Sequence, residues 1–425
     1  MPSPGELVAV AAGALLVVAA LGWRLAARRS GERALAQQLA DADPDVRGSA
    51  VAAAARDGVT PHAAALLELA ERERDESVRR ALVNAVERTQ WEPARDPRVA
   101  ELRRWARRRT ERIDATTVLV TGVGGAAGVA VLQALRAQGM RVVGADADWL
   151  AAGLGLADEA AVLQTCDDEN FVAELCALAE RTGATVFVST IAEELRVLAR
   201  ARDTLADTGL AAWLPDAHAV ETCVDKLRFA HAVHTAGLPA PATALATGAG
   251  VPPPWIVKPR FGRGSRDVHA ADDPDALDWA LRRVPEPIVQ TRLKGLEFTV
   301  DALMDRSGRL AGAVPRWRLE TKAGISSKGR TFDDPDLLDA VEALLRTVGL
   351  DGPANVQGFL RADDGTFAFV EVNPRFSGGL PLSLEAGADL VGEYVRGILG
   401  EPVAPERLRY SAGTTMTRHL AEVYV

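Results

Sequence analysis

The stretch NVQGFLRADDGTFAFVEVNPRFSGG, from Asn355 to Gly379, decides how this chain is read. Two apolar-rich runs flank Asp364-Gly365, a pair that favours the tight turn of a β-hairpin. On the returning strand Glu371 and Asn373 are two residues apart, so they share one face. Gln357 on the outgoing strand can face the same way. The three then offer one carboxylate and two amide oxygens, hard donors of the kind magnesium takes when phosphates complete its shell. Arg375 follows with a planar fork suited to phosphoryl or carboxylate oxygens. A buried-type strand seldom carries an acid, an amide and an arginine on one face without a task, since unpaired buried charge is costly.

Three earlier blocks carry related chemistry. DKLRFAHAVHTAGLPAP is a helix led by Lys226. PWIVKPRFGRGSRDVHAA delivers Lys258 from a strand into a loop with Gly262, Gly264 and Ser265, where glycine lets backbone N–H groups approach a phosphate. Its spacing does not fit the lysine-in-helix phosphate loop, so the loop must lie between strands as a flap. In EPIVQTRLKGLEFTVDAL, Gln290 ends one strand and Glu297 begins the next. A hinge of this kind can present backbone to adenine and a carboxylate to ribose hydroxyls.

A second glycine cluster lies upstream in VLVTGVGGAAGVAVLQAL, Val118 to Leu135, with Asp146 closing the next apolar run. Strand, glycine turn, helix and acid resemble a dinucleotide site, and short apolar runs alternating with helices from Thr117 predict βαβ units. An oxidoreductase or epimerase built on Gly122, Gly124, Gly128 and Asp146 would need a catalytic Tyr-Lys or His constellation. Tyr394, Tyr410 and Tyr424 all lie near the C-terminus outside any such motif. The glycines are therefore expected to serve the turn and helix–sheet packing.

The 425 residues allow two or three domains, and a net charge of −9 argues against nucleic acid as partner. Cys166, Cys176 and Cys223 have no zinc or disulfide spacing. Near the N-terminus LVAVAAGALLVVAAL runs from Leu7 without charge, Gly22-Trp23 extend it, and Arg24, Arg28 and Arg29 follow. We expect a single-pass anchor over residues 7–23 that leaves the body at the cytoplasmic face of the membrane, with a buried helix or a signal peptide as alternatives. Residues 32–113 are helical in pattern. DPDVRGSAVAAA and RDESVRRALVNAV look alike, with Val46 and Val78 in equivalent places 32 residues apart. They resemble HEAT-like hairpins, or else form a helical spacer.

Taken in order, the four blocks resemble the ATP-grasp superfamily, in the branch of the carbamoyl phosphate synthase large subunit, from about Thr117 to Pro402. The resemblance implies Lys226 and Lys258 at the ATP phosphates, Gly264 and Ser265 in the phosphate loop, Gln290 near adenine and Glu297 at the ribose. It implies Gln357, Glu371 and Asn373 as magnesium ligands, with manganese as a substitute, and Arg375 steadying an acyl-phosphate transition state. Gln290 stands where an acid is common and Gly378 where the synthase has an arginine. One grasp module is present where the synthase has two.

The expected fold class is α/β and α+β: a Rossmann-like pre-ATP-grasp domain followed by an ATP-grasp fold, with an N-terminal transmembrane helix and a HEAT-like segment. The expected division is an anchor at 1–31, helices at 32–113, pre-grasp at 114–222, grasp at 223–402 and an extension at 403–425. The expected activity is ATP-dependent carboxylate–amine ligation through an acyl phosphate, on small-molecule substrates, with a homodimer left open as assembly. The basic segment VPRWRLETKAGISSKGR offers Arg316, Arg318, Lys322 and Lys328 near the expected acceptor site, with Arg316 the expected clamp for a substrate carboxylate. A nicotinamide enzyme and an inactive membrane-tethered scaffold are the competing readings.

Overall fold

The computed structural model describes residues 33–424 except 74, 88–95, 111–115, 246–249, 263, 265, 323 and 362–363. Its contacts divide into two units, 1–113 and 114–425. Among the described residues no helix is long and apolar enough to cross a membrane. The expected transmembrane element is corrected accordingly. The apolar run at 7–23 lies outside the described residues, and neither the anchor nor a position at the cytoplasmic face of the membrane is carried further.

The first unit contains helices Pro44–Asp57, Ala63–Arg72, Glu76–Glu87 and Pro97–Thr110. Asp43 caps the first of them, its side chain accepting from the Asp45 amide at 2.9 Å. Val51, Leu66, Leu69, Leu82 and Leu102 form a closed core. The two look-alike segments meet at Glu73. Arg47 donates to its carboxylate at 2.6 and 2.9 Å, and Arg79 Nε donates to its carbonyl at 2.7 Å.

The second unit opens with five parallel strands: β1 (Thr117–Thr121), β2 (Arg141–Asp146), β3 (Glu159–Val162), β4 (Val186–Ser189) and β5 (Ala211–Ala212). Their order is β3-β2-β1-β4-β5. Strand order reverses between β1 and β4, where a doubly wound sheet leaves a crevice beyond its carboxyl ends. Next come four antiparallel strands, β6 (Thr243–Leu245), β7 (Trp255–Pro259), β8 (His269–Ala271) and β9 (Pro287–Thr291), ordered β6-β9-β7-β8. A six-stranded sheet follows, with β10 (Gly295–Met304), β11 (Leu310–Lys322), β12 (Ile325–Thr331), β13 (Gly352–Arg361), β14 (Phe367–Asn373) and β15 (Thr415–Thr417), ordered β14-β13-β10-β11-β12-β15.

Alternation along these strands separates core from chemistry. Phe298, Val300 and Ala302 of β10, with Ala354 and Val356 of β13, bury themselves against Val341, Leu344 and Leu345 of helix Pro335–Val348. The intervening residues point the other way. Thr299 lies opposite Gln357 and Arg316, Gln357 opposite Glu371, and Asp301 opposite Asn355, which lies opposite Asn373. One face of the sheet is thus polar across four strands. The register shifts between Gln357 and Gly358, leaving Val370 as an extra residue on β14. This bulge turns Phe369 into the core while Glu371 keeps the polar face.

Candidate active site

The polar face forms one wall of a cleft of about 1150 Å³, also lined by the four-stranded sheet and by the crevice of the parallel sheet. Lys226, Lys258, Gly264, Gln290, Glu297, Arg316, Gln357, Glu371, Asn373 and Arg375 all line it. Ser265 lies outside the described residues.

The two lysines arrive from different elements. Lys226 opens helix Lys226–Thr235, capped by Asp225, whose Oδ1 accepts from the Leu227 amide at 3.0 Å. Asp225 is also locked by Arg260, with Nε to Oδ1 at 2.8 Å. This ties the helix start to the end of β7, and Lys226 Nζ donates to the Gly262 carbonyl at 2.8 Å. Lys258 projects from β7 and is 6% exposed. Its Nζ donates to Gln290 Oε1 at 2.9 Å, while the Gln290 amide donates to Thr243 Oγ1 at 2.8 Å. Burial pushes the Lys258 ammonium down to about 8, with Glu371 opposing the shift and Lys226 adding to it. A neutral amide orients this cation without neutralising it.

Glu371 sits where these cations converge. Burial would raise its carboxyl, but the Lys226 and Lys258 charges, the Asn373 amide at 3.0 Å and Arg375 together hold it below the usual range. Gln357 donates through Nε2 to Asn355 Oδ1 at 3.2 Å. Among the described residues no three His, Cys, Asp or Glu side chains gather around a common point. Glu371, Gln357 and Asn373 are instead a partial shell of three hard oxygen donors. They fit a magnesium ion whose other ligands are phosphates.

Glu297 is engaged by Arg318, whose Nη1 donates to its carboxylate and to Gln357 Oε1 at 3.3 Å. Burial raises the Glu297 carboxyl and the Arg318 charge opposes this. Arg316 reaches the cleft while 1% exposed. Its Nη2 pairs with Asp301 Oδ2 at 2.8 Å and donates to Ser377 Oγ at 3.0 Å. Asp301 also accepts from Asn355 at 2.9 Å and Ser383 at 2.6 Å. Asp301, Asn355 and Ser377 were not singled out from the sequence, while Arg318, expected near the acceptor site, is engaged with Glu297 and Gln357 instead. The i, i+2, i+4 run of Glu297, Thr299 and Asp301 inside an apolar strand is the signal that finds the first of them. Lys322 and Lys328 of the basic segment do not line the cleft, and Lys328 pairs with Glu320 at 2.8 Å.

The upstream glycine turn is spent on the fold. Gly122 has φ +74, and a Cβ on Gly128 would lie 2.1 Å from the Gly122 carbonyl oxygen. Asp146 accepts from the Gly124 amide at 2.7 Å and the Asp148 amide at 3.0 Å, so its carboxylate braces the turn.

Residues 283–419 match the family described as ATP-grasp in the biosynthetic pathway with Ter operon, and residues 118–212 match the PylC-like N-terminal domain. The carbamoyl phosphate synthase large chain of Beutenbergia cavernae is 30% identical over 214 residues, covering 43% of this chain and 19% of that one. The same protein of a Mycobacterium species is 31% identical over 216 residues, 44% of this chain and 19% of that one. The chain thus spans about a fifth of the length of these curated relatives. Among solved structures, Campylobacter jejuni biotin carboxylase superposes with a TM-score of 0.56 at 14% identity, covering 69% of this chain and 73% of the other. An L-amino acid ligase from Bacillus licheniformis does so with 0.56 at 16%, covering 69% and 77%. These likenesses show a shared fold, and the polar sheet face opposite the lysine-bearing sheet agrees with them. The chain thus carries an ATP-grasp match over residues 283–419 and is similar, over less than half of its length, to the large chain of carbamoyl phosphate synthase.

Proposed function

We propose that the protein is an ATP-dependent carboxylate–amine ligase. The observation that carries this reading is Glu371, set in line with Gln357 and Asn373 and held ionised by Lys226 and Lys258. One carboxylate, two amide oxygens and two ammonium groups on facing walls suit a metal-bound polyphosphate. The ATP-grasp proteins it resembles support the same chemistry. Glu297 is assigned to ribose hydroxyls, Gln290 to the adenine end, and Gly264 with Ser265 to the phosphate flap. Magnesium at Gln357, Glu371 and Asn373 would draw charge from the phosphates, and manganese suits the same oxygen donors.

The residues act by positioning and electrostatics, and no protein nucleophile is required. Lys226 and Lys258 hold the phosphates in line. A substrate carboxylate oxygen attacks the γ-phosphorus, the bond to ADP breaks, and an acyl phosphate forms. Arg375, its Nη1 fixed on the Phe376 carbonyl at 2.8 Å, compensates charge on the transferring group. The amine lone pair then attacks the acyl carbon, phosphate leaves, and the amine proton passes to phosphate or solvent.

The test is an ADP-release screen of the chain against carboxylate and amine libraries. ADP formation that needs both an acid and an amine is expected, and Glu371→Ala should abolish it. Tight NAD binding without ATP-dependent turnover would sink the assignment, and a fully active Glu371→Ala would refute the metal site.

A further inference from the structure

Arg318 stands between two parts of the cleft. Its side chain is 8% exposed, yet it lines the cleft and reaches three partners there. Nη1 donates to the Glu297 carboxylate and to Gln357 Oε1 at 3.3 Å, and Nη2 donates to the Gly324 carbonyl at 2.7 Å. The register of β11 with β12 shifts directly after it, between Arg318 and Glu320, and Leu319 between them is 57% exposed. This irregularity ends the plain alternation of the strand, with Leu319 outward and Arg318 still on the polar face.

Two of those partners are the ones assigned above to the nucleotide, Glu297 to ribose and Gln357 to magnesium. A magnesium ion on Gln357 Oε1 would face Arg318 Nη1 across a single oxygen. Two positive charges that close repel unless an anion lies between them. The nucleotide and its metal therefore compete with Arg318, and they strip Nη1 of its acceptors while the Gly324 carbonyl still holds Nη2. The attacking carboxylate is the anion that arrives at this point. It must come within about 3–3.5 Å of the γ-phosphorus, and that phosphate shares the metal of Gln357. The γ-phosphoryl group already has Lys226, Lys258 and Arg375. Arg316, the expected clamp, is not free for the acid. Its Nη2 is spent on Asp301 and Ser377, and its Nε and Nη1 are buried out of reach of solvent.

We propose that Arg318 is the clamp for the substrate carboxylate, released to that role when the nucleotide and its metal take Glu297 and Gln357. This rests on the ligase assignment and deepens it. One guanidinium opposes the nucleotide in the free enzyme and holds the acid once the nucleotide is bound. The two ligands therefore bind with positive coupling, and each raises the affinity of the other by the same factor.

The test titrates MgADP into the full chain by calorimetry, in acetate as the carboxylate probe and in chloride at the same ionic strength. Acetate should tighten MgADP binding by the parent about 5-fold or more, the low end of coupling between sites. In chloride, Arg318→Met should bind MgADP about 10-fold more tightly than the parent, the scale of one charge-assisted hydrogen bond no longer competing. Acetate should add nothing to that variant. Arg318→Lys keeps the charge without the fork and should show a smaller acetate effect than the parent. A cooperative melt checks that each variant folds. A parent that binds MgADP equally in acetate and chloride overturns the clamp, as does an equal acetate effect in the parent and Arg318→Met. Weaker MgADP binding by a folded Arg318→Met marks a purely structural arginine and overturns it too. A parent that binds no MgADP overturns the ligase assignment itself.

Discussion

Lys258 is a buried ammonium whose direct partner is an amide, Gln290 Oε1 at 2.9 Å. With burial holding it at about 8, it is charged below that pH and neutral above it. Phosphate binding needs the charged form, so kcat/KM for ATP should fall as pH rises through about 8. That limb reports the free enzyme, because bound phosphates would raise the lysine again and move the limb of kcat upward. Lys258→Arg should erase the limb, since a guanidinium stays charged. Gln290→Glu should shift it up by about one pH unit or more, because an opposite charge within hydrogen-bond distance favours the ammonium. A pH profile identical in the parent and Gln290→Glu would show that another group titrates. Arg318 raises a similar question of competition, because it occupies Glu297 and Gln357 together. Removing it in Arg318→Met frees both for the nucleotide and its metal, and a lower KM for ATP is the expected result in steady-state kinetics.

At the scale of elements, the glycine turn after β1 and the polar face of the six-stranded sheet show how far pattern alone carries. The spacing of Glu371 and Asn373 places both on one face, and an isolated strand is enough to say so. That Gln357 lies opposite Glu371 depends on the register of β13 with β14, and a bulge at Val370 sets it. Nothing in local spacing announces that bulge. Asp301 and Asn355 continue the alternating polar positions of Glu297, Thr299 and Gln357, but spacing within one strand names no partner for them. Only strand pairing brings them against Arg316. The glycine cluster had the opposite problem, a strong pattern shared by nucleotide-binding and purely structural turns. Its geometry separates the two, since Gly128 touches the Gly122 carbonyl and Gly153 touches the Val123 carbonyl, where a Cβ would lie 2.1 and 2.2 Å away. Gly128→Ala should therefore cost stability of about 1–3 kcal/mol, as overpacked sites do, readable as a lower urea midpoint. A variant as stable as the parent would mean that the helix can shift at no cost.

At the scale of the molecule, every residue assigned here to ATP, metal or substrate lies in the unit that spans 114–425. The cleft is lined entirely by residues from Gly122 to Gly379. The elements that position them are tied within the same unit. Gln138 donates to Asp389 at 2.9 Å and Tyr394 to the Trp213 carbonyl at 2.7 Å, which pins the helix Leu390–Ile398 to the parallel-sheet layer. Arg396 and Arg407 close on the fully buried Glu393 at 3.0 and 2.9 Å, fastening the segment that follows helix Leu390–Ile398. A unit of roughly 300 residues buries a share of its surface large enough to fold without help. The helical unit has its own core around Leu66, Leu82 and Leu102 and brings no residue to the cleft. Residues 114–425 expressed alone should therefore be soluble and bind MgADP with a Kd within about twofold of the full chain, since affinity follows the contacts that remain. Calorimetry on the two proteins decides it. A fragment that folds, by circular dichroism and a cooperative melt, yet binds MgADP about 10-fold more weakly would show that the helical unit tunes the nucleotide site, because such a loss needs an interaction worth about 1.4 kcal/mol.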